Sequence, residues 1–536
     1  MPTDRSDIVF VDALIVDGSG REPRPGGVAV TEGRISAVGD VSGHPADRTI
    51  DADGLVLCPG FIDIHTHSDV SLILDPAGES KILQGVTTEV TGNCGLSPFP
   101  IAADRVELHD DHLRRIGGDV PPLTWTDMDG YVERVHATPP AVNIAPLIGH
   151  GTVRTAIMGL DEREAEPHEL AAMRQLIARD LDQGAFGFTT GLTVAPSAYA
   201  DEAEVTELVR EVAHRDALYA THARLGAGER GELAALQEAL RTAEAAGCRL
   251  EWSHAAINEP ARWGTADEMT AAVVEARARG VDAAYDVYPY DASSSGMTQY
   301  LPPWVLDGGT EAMRHRLADP AAFEKAERDL AAGFFGGIPW FWDRMLICRV
   351  EPPDDWCLGL TIEEAAARRE LSPPAFALKL CLDHGNSIDV VQFYRTEEDM
   401  RTFLSHPLSV IGSDGSAIPL EQGRQRPHPR AFGTYPRVLG RYVRQHGLLE
   451  LATAVRKMTG EVAARMRMPN RGLVRTGMVA DLALFDPVTV LDHATFDDPA
   501  RSPSGIPYVM VNGVLAVDEG AQTSSRPGRV LRRDGS

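Results

Sequence analysis

Short apolar, β-prone runs recur along this chain, and several of them end on a histidine or an acid. Four such motifs read GFIDIHTHSD, LYATHAR, LEWSHAA and SVIGSDG, and a fifth, TTEVTGNCG, ends on a cysteine. Ligands on the rim of a parallel β-barrel must converge from the carboxyl ends of separate strands, so this recurrence favours a barrel with a metal site at that rim. The candidate ligands are His65, His67, Cys94, His222, His254 and Asp414.

The middle of the chain alternates these runs with amphipathic helices, as a parallel β/α fold does. About eight apolar runs are present, the number that a (β/α)8 barrel needs; they read GFIDI, TTEVTG, NIAPLIG, AFGFTTG, LYAT, RLEWS, DAAYDVYP and LSVIGS. Helical spacing is clear at Val205, Leu208, Val209 and Val212. We predict a further helix that opens on a capping box of Thr265 and Glu268. We also predict that the stretch from SPPAFALKLCLDH to the eighth strand supplies the returning helix.

Both ends of the 536-residue chain consist of short β-prone runs broken by Gly and Asp. We therefore predict that the two ends pair into one small β-sandwich. The predicted fold class is α/β, a distorted (β/α)8 TIM-type barrel with this sandwich formed by both chain ends. The predicted bounds are 1–58 and 470–536 for the sandwich and 59–469 for the barrel, with an insertion at about 300–360.

Composition excludes several classes of partner. The formal net charge of -27 argues against nucleic acid, because phosphate contacts need clustered Lys and Arg. The six cysteines lie far apart without a CxxC pair, which is typical of free thiols in a reducing compartment. No apolar run approaches the roughly 20 residues that span a bilayer, and no secretory signal is visible. We expect a cytoplasmic protein that binds a small-molecule substrate and neither nucleic acid nor membrane; the oligomeric state stays open.

Each candidate ligand could have a purely structural role instead of a metal-binding one. His65 and His67 are two apart on an extended segment, so both can face one metal, although core histidines also occur there. Cys94 is either a small buried hydrophobe or a zinc-binding thiolate. His222 and His254 each follow a strand, where a lone histidine would often be structural. The joint occurrence of these residues favours the metal site.

Asp414, between Ser and Gly after the last strand, fits an Asx-turn as well as a catalytic role. A carboxylate at that position can touch a metal and take a proton from water. No competing chemistry is as well supported: the sequence has no GxSxG elbow, Walker A motif or strand-associated GxGxxG. The serines of DASSSG are interpreted as a loop near the barrel mouth that contributes polar contacts.

The motifs together resemble the amidohydrolase superfamily and, within it, the N-acyl-D-amino-acid deacylases (D-aminoacylases). The resemblance spans nearly the whole chain and is carried by PGFIDIHTHSD, TTEVTGNCG, THAR, DVYPYDASSSG, IGSDG, HPRAFGTYPRVLG and RPGRVLRR. It implies a tightly bound Zn²⁺ at Cys94, His222 and His254. It also implies a second, looser metal position at His65 and His67. Asp414 corresponds to the general acid/base of the family.

The sequence departs from the family pattern at one position. Deacylases usually carry SHxK after the sixth strand, whereas this chain has Ala256 in place of the lysine that reaches the substrate carboxylate. The remaining candidates for substrate contacts are Arg224, Tyr288, Ser293, Ser294 and Ser295. The metal chemistry is therefore expected to be intact, while substrate recognition is open.

The resemblance implies zinc-dependent hydrolysis of a linear amide, with an N-acyl-D-amino acid as the leading substrate. One alternative is a different N-acyl compound or a cyclic amide, as in hydantoinases and dihydroorotases. In those enzymes a carboxylated lysine bridges two zincs, and Cys94 takes that place here, which disfavours a cyclic amide. A non-catalytic binding protein on the same scaffold is the third hypothesis, and it fits poorly with six competent ligand positions.

Overall fold

The computed structural model describes residues 5–116, 118–226, 228 and 231–533, so the outermost residues of the predicted intervals 1–58 and 470–536 lie outside the described part. In chain order the strands are β1 (Ser6–Ile15), β2 (Arg24–Thr31), β3 (Arg34–Gly39), β4 (Ala46–Asp51), β5 (Val56–Pro59), β6 (Phe61–Asp63), β7 (Val86–Thr91), β8 (Asn143–Pro146), β9 (Ile148–Gly149), β10 (Gly187–Gly191), β11 (Leu218–His222), β12 (Arg249–Trp252), β13 (Ala283–Val287), β14 (Ser293–Gly296), β15 (Met345–Arg349), β16 (Asp389–Gln392), β17 (Ser409–Ile411), β18 (Leu482–Phe485), β19 (Tyr508–Val511), β20 (Val514–Asp518) and β21 (Ala521–Gln522).

The helices, again in chain order, are α1 (Ser71–Leu74), α2 (Glu79–Ile82), α3 (Val106–Leu113), α4 (Met128–His136), α5 (His150–Met158), α6 (Pro167–Asp182), α7 (Glu202–His214), α8 (Glu232–Ala246), α9 (Ala266–Ala278), α10 (Pro303–Leu306), α11 (Gly309–Ala318), α12 (Pro320–Ala331), α13 (Ile362–Arg368), α14 (Pro373–His384), α15 (Glu397–Ser405), α16 (Arg430–Arg437), α17 (Leu451–Met458) and α18 (Gly460–Arg465). A π-helical segment, Val438–Gln445, continues α16.

The predicted apolar runs form the parallel strands of a closed barrel. β6, β7 and β8 pair in one sheet, and β9, β10, β11, β12, β13 and β17 pair in order in another. Only Leu147 separates β8 from β9, so the two segments act as one broken strand. The barrel closes where Thr66 pairs with Gly415 and the amide of Asp414 donates to the carbonyl of His65 at 2.8 Å. The (β/α)8 architecture is confirmed.

Apolar side chains fill the barrel interior. Residues in and just after α18 pack against them and cover one end of the barrel. Inward-facing residues of alternate strands form layers in such barrels. The cluster consists of Ile62, Ile64, Val90, Ala145, Leu147, Phe186, Leu218 and Val410 from the strands, with Val462, Ala463, Met466, Met468 and Leu531. With its interior packed, the barrel can host a polar site only at an end.

Outer helices bury the faces that the sequence predicts. The four apolar residues of α7 that share helical spacing are buried against the barrel. The predicted capping box of α9 is wrong, because the Thr265 hydroxyl donates instead to the carbonyl of Arg262 at 2.7 Å. The Asp399 carboxylate of α15 caps α9 instead, because it accepts hydrogen bonds from the amides of Gly264 and Ala266 at distances of 2.9 and 3.1 Å.

The insertion after the seventh strand is larger than the predicted interval of about 300–360. Its antiparallel sheet of β14, β16 and β15 spans positions 293–392 and covers an apolar core separate from that of the barrel. The stretch predicted to supply the returning helix contains α14 and α15, and Phe376 and Leu380 of α14 belong to this second core. Phe403 of α15 packs in the main core instead, and α15 leads back to β17.

The two chain ends form a single nine-stranded sheet, as their similar texture predicts. β5 pairs antiparallel with β18, with Cys58 opposite Ala483. Side chains from both halves, among them Phe10 and Leu484, pack in one apolar cluster, which gives the sheet the two-layer character of a sandwich. The domain bounds at 58 and 469 stay predictions, and beyond the sheet Val530 pairs with Ile144 of the barrel.

In the part of the chain that the structure describes, no helix has the length and apolar content needed to cross a membrane.

A buried ion pair joins α5 to the start of α7. Arg154 is fully buried and donates to both oxygens of Glu204 at 2.6 and 2.5 Å. His150 Nε2 lies 2.9 Å from the same carboxylate. Burial alone would raise the pKa of the Glu204 carboxyl, but His150 and Arg154 outweigh it and lower the pKa from 4.5 to about 2. The carboxylate therefore stabilises the fold above pH 4.5, and this contribution is lost as the pH falls towards 2.

We expect Glu204→Gln to lower the free energy of unfolding by about 3 kcal/mol at neutral pH, the equivalent of that pKa shift. The deficit should shrink between pH 4.5 and 2, where the wild-type carboxylate takes up its proton. Urea unfolding across this pH range measures both quantities. Glu202→Gln is the matched control, because Glu202 lies on the same helix in an exposed pair with Arg241. A deficit that is independent of pH would contradict the assignment.

Candidate metal centre and active site

The predicted ligands converge at the carboxyl-terminal end of the barrel, each just past or at the end of a strand. Their donor atoms fall into two groups, each with all donor atoms within 4.8 Å of one another. The groups are His65, His67, Cys94 and Asp414, and Cys94, His222 and His254. Because the two groups share the Cys94 thiol, they could hold two metal ions next to each other.

A strained backbone conformation sets the direction of three of these side chains. Cys94, His254 and Asp414 have φ values of 54°, 39° and 54°, in the left-handed region that residues other than glycine rarely adopt. Such conformations persist only where the surrounding structure enforces them, and they concentrate at functional sites. The strand ends alone therefore do not set the ligand directions.

The first group surrounds the carboxylate of Asp414. Asp414 Oδ1 lies 3.0 Å from His67 Nε2 and 3.4 Å from His65 Nε2. Cys94 Sγ lies 3.3 Å from His65 Nε2. His67 Nδ1 is buried without a hydrogen-bond partner among the described residues.

The second group is built from the two histidines of neighbouring strands. Cys94 Sγ lies 3.5 Å from His254 Nε2, which lies 2.9 Å from His222 Nδ1. The other ring nitrogen of His222, Nε2, is 2.6 Å from the Thr193 hydroxyl, to which Gln299 donates. Nδ1 of His222 is therefore the atom left to face the site.

Asp286, at the end of β13, was not among the predicted site residues. Its carboxylate is buried, lies 3.2 Å from His65 Nδ1 and accepts the His254 amide at 2.9 Å. A carboxylate behind a ligating histidine fixes the ring orientation and increases its basicity. The signal in the sequence was an acid inside an otherwise apolar strand, which demands a buried partner.

Electrostatics favour the ionised forms of the thiol and the carboxylate. Burial would raise the pKa of the Cys94 thiol, but His65 and His254 hold it well below its ordinary value. Burial would likewise raise the pKa of Asp414, and Arg430 and His254 hold it well below its usual range. Arg430 Nη1 donates to Asp414 Oδ2 at 2.7 Å. A thiolate and a carboxylate are the forms that a metal binds.

A cavity of about 540 Å³ opens over these residues and is bounded on the far side by the insertion. Its volume is in the range of small-molecule sites. The three predicted serines, Ser293, Ser294 and Ser295, line it. The Ser295 hydroxyl contacts that of Tyr300, which donates to Gln392 Oε1 at 2.6 Å. The insertion therefore supplies a polar wall opposite the ligands.

The family model for the amidohydrolase family matches residues 48–309 and 374–517. The chain belongs to the amidohydrolase family. The unmatched stretch between the two segments lies within the insertion. The insertion is the part of the chain that forms the cavity wall opposite the barrel.

Full-length relatives of this amidohydrolase are known. N-acyl-D-glutamate deacylase of Alcaligenes xylosoxydans xylosoxydans is 36% identical over 99% of this chain and 98% of its own length. D-aminoacylase of the same organism is 36% identical over 98% of each chain. The crystal structure of N-acyl-D-glutamate deacylase from Bordetella bronchiseptica, complexed with zinc and a phosphonate inhibitor, is 32% identical with a TM-score of 0.83, covering 98% of this chain and 100% of that chain.

The donor set of the amidohydrolase fits zinc. One thiolate, four imidazoles and a carboxylate are the ligand types that zinc prefers, whereas calcium and magnesium prefer oxygen alone. Nδ1 of His67 is buried and has no hydrogen-bond partner among the described residues, so no protein group competes with a metal for this nitrogen. Cys94, His222 and His254 would hold one ion, and His65 and His67, with Asp414 and the shared Cys94 thiol, would hold a second.

Arg224 is the predicted site residue that the structure directs elsewhere. Its guanidinium donates to the carbonyls of Ala198 and Ala200 at 3.1 and 2.6 Å and to Glu238 at 3.1 Å. Among the described residues that line the cavity, Arg224 is absent while its neighbours Ala223 and Leu225 are present. The predicted substrate contact of Arg224 stays a prediction, and in the structure these groups hold the guanidinium against the loop before α7.

Three further residues, Ala256, Tyr288 and Arg430, lie at the cavity or directly beside it. Ala256 lines the cavity, so the position without the expected lysine does face the site. Tyr288 is buried beneath Arg430, whose guanidinium carbon is 5.0 Å from the ring centroid. Arg430 belongs to the segment HPRAFGTYPRVLG and carries no predicted role. It is a buried cation that lines the cavity beside Asp414.

Proposed function

We propose that this amidohydrolase catalyses zinc-dependent hydrolysis of the linear amide of an N-acyl-D-amino acid, releasing a D-amino acid and a carboxylate. The observation that carries the proposal is the Cys94 thiol shared by two ligand groups beside Asp414, in a cavity of small-molecule size. The names of the full-length relatives, deacylases of N-acyl-D-glutamate and of D-amino acids, support the substrate class.

The chemistry that zinc supplies at such ligands is polarisation of the scissile carbonyl and acidification of water. Asp414 is the acid/base: its Oδ1 accepts a proton from the attacking water and returns one to the departing nitrogen. Arg430 keeps Asp414 ionised and oriented through the contact at Oδ2. Asp286 holds His65 and His254 in place.

Polar groups opposite the ligands would bind the amino-acid half of the substrate. Arg430 donates to the carbonyl of Ser294 at 3.1 Å, so its position is fixed relative to the insertion. The preformed guanidinium suits a carboxylate, which it can contact with paired donors. The acyl half would lie towards the apolar residues Leu96 and Val194 on the other side of the cavity.

A different N-acyl compound is the second candidate substrate. Ala256 favours it, because no lysine projects into the cavity from that position.

We also propose that the protein acts in the cytoplasm. All six cysteines are free and buried, which suits a reducing compartment.

The test is amine release from matched N-acetyl-D- and N-acetyl-L-amino acids by zinc-loaded protein, with chelator-treated protein as the control. We expect release from the D-enantiomers that the chelator abolishes and zinc restores. Release from L-enantiomers alone would overturn the assigned chirality. If no amine is released from either enantiomer while other N-acyl compounds are hydrolysed, the second candidate is favoured.

A further inference from the structure

Arg395 is a cavity-lining arginine for which the fold offers no counter-ion. It follows β16 of the insertion and is half-buried in the wall of the cavity. Among the residues that the structure describes, no carboxylate lies within 4.0 Å of the Arg395 guanidinium, the distance limit for an ion pair. By contrast, Arg349 is 2.7 Å from Asp389 and Arg430 is 2.7 Å from Asp414.

Neutral contacts hold Arg395 in place instead. Its Nε donates to Asn258 Oδ1 at 3.1 Å. Its guanidinium carbon lies 4.8 Å from the centroid of the Tyr288 ring, and that of Arg430 lies 5.0 Å from the same centroid. Two guanidinium groups therefore share one aromatic ring, and the Asn258 contact uses only Nε of the donors of Arg395.

The Tyr288 hydroxyl is a second unfilled group at this place. It is buried, and among the described residues it has the Arg430 guanidinium beside it as a donor but no acceptor for its own hydrogen. A buried hydroxyl without an acceptor costs free energy unless a ligand supplies the missing acceptor. An anion close to both guanidinium groups would accept the hydrogen bond of the Tyr288 hydroxyl and neutralise the charge of Arg395.

We infer that Arg395 binds the α-carboxylate of the substrate together with Arg430, which makes it a specificity-determining residue for N-acyl compounds that carry a free carboxylate. The inference rests on the proposed function. Asn258 orients the guanidinium, and the insertion thereby contributes a residue to recognition. Because Arg395 contacts Asn258 and Tyr288 rather than the metal-binding side chains, its contact with the carboxylate acts on binding more than on the chemical step.

The test compares N-acetyl-D-amino acids with the corresponding N-acetyl-D-amino acid amides, in which the carboxylate is neutral. For Arg395→Met we expect kcat/KM on the acids to fall roughly 10–100-fold, the range of a lost charge-assisted hydrogen bond. The loss should appear mainly in KM, while kcat/KM on the amides stays near the wild-type value. Arg395→Lys should recover part of the preference for the acids.

Arg344→Met is the matched control, because Arg344 lies in the same insertion, is exposed and stacks on Phe341 outside the cavity. It removes the same charge and should leave the preference for acids unchanged. An equal loss on acids and amides in Arg395→Met, or no loss on either, would overturn the inference while the proposed function stands. Silence of the wild-type protein on all the N-acyl-D-amino acids would overturn both.

Discussion

Replacement of Asp414 by asparagine is expected to lower kcat by about 10³-fold while zinc stays bound. Asparagine keeps the size of the side chain and can still accept the hydrogen bond that Arg430 donates at 2.7 Å. It cannot take up a proton, so water is not activated and the departing amine is not protonated. Cys94, His222 and His254 are unchanged, so the zinc content should be retained. Steady-state kinetics together with metal analysis of the purified variant measure both quantities.

Asp119→Asn is the matched control for this variant. Asp119 also lines the cavity, but 93% of its side chain is exposed and it lies 3.9 Å from Arg114 rather than near the ligands. We expect wild-type kcat from the control. Near-normal turnover by Asp414→Asn would show that another group moves the proton, and loss of zinc would show that Asp414 acts chiefly as a ligand.

The second large effect is expected for Cys94→Ala, which should lose zinc and activity together. The Cys94 thiol belongs to both ligand groups, so its removal takes a donor from each position. Loss of a partner outside the ligand shell typically weakens metal binding 10–100-fold, and loss of a direct ligand should exceed about 100-fold. Zinc content after dialysis against a weak chelator, measured beside activity, tests this expectation.

Cys348→Ala controls for the loss of a buried thiol. Cys348 lines the same cavity and is buried, but it lies in neither ligand group among the described residues. We expect normal zinc content and activity from this variant. Full zinc occupancy in Cys94→Ala would contradict the shared-ligand arrangement and leave the four histidines as the metal site.

Much of the barrel could be predicted because its signals are local. A strand buried on both faces must be a short apolar run, and the residue after it must lie at the rim. This reasoning placed the eight strand positions and brought six candidate ligands to one end of the barrel. The prediction that both chain ends pair rested on local texture too, and the register of β5 with β18 bears it out.

Local spacing does not say which partner a side chain takes when several lie within reach. Arg224 follows a ligand-bearing strand, but carbonyls of a preceding loop and Glu238 satisfy it away from the cavity. The α9 cap comes from Asp399, which is more than a hundred positions away along the chain. Neither choice is encoded by local spacing, because the competing partner lies on an element that is distant in sequence.

The sequence by itself determined the barrel, the chemistry of the ligand atoms and the strand ends at which they lie, since periodicity and residue type fix these locally. Tertiary structure alone decided that Cys94 joins both ligand groups, that Asp286 supports two of the histidines, and that Arg395 rather than Arg224 faces the cavity. The physical reason is that buried charges and hydrogen-bonding groups take the partners that the closed fold brings within reach, and these partners come from elements far apart in the chain.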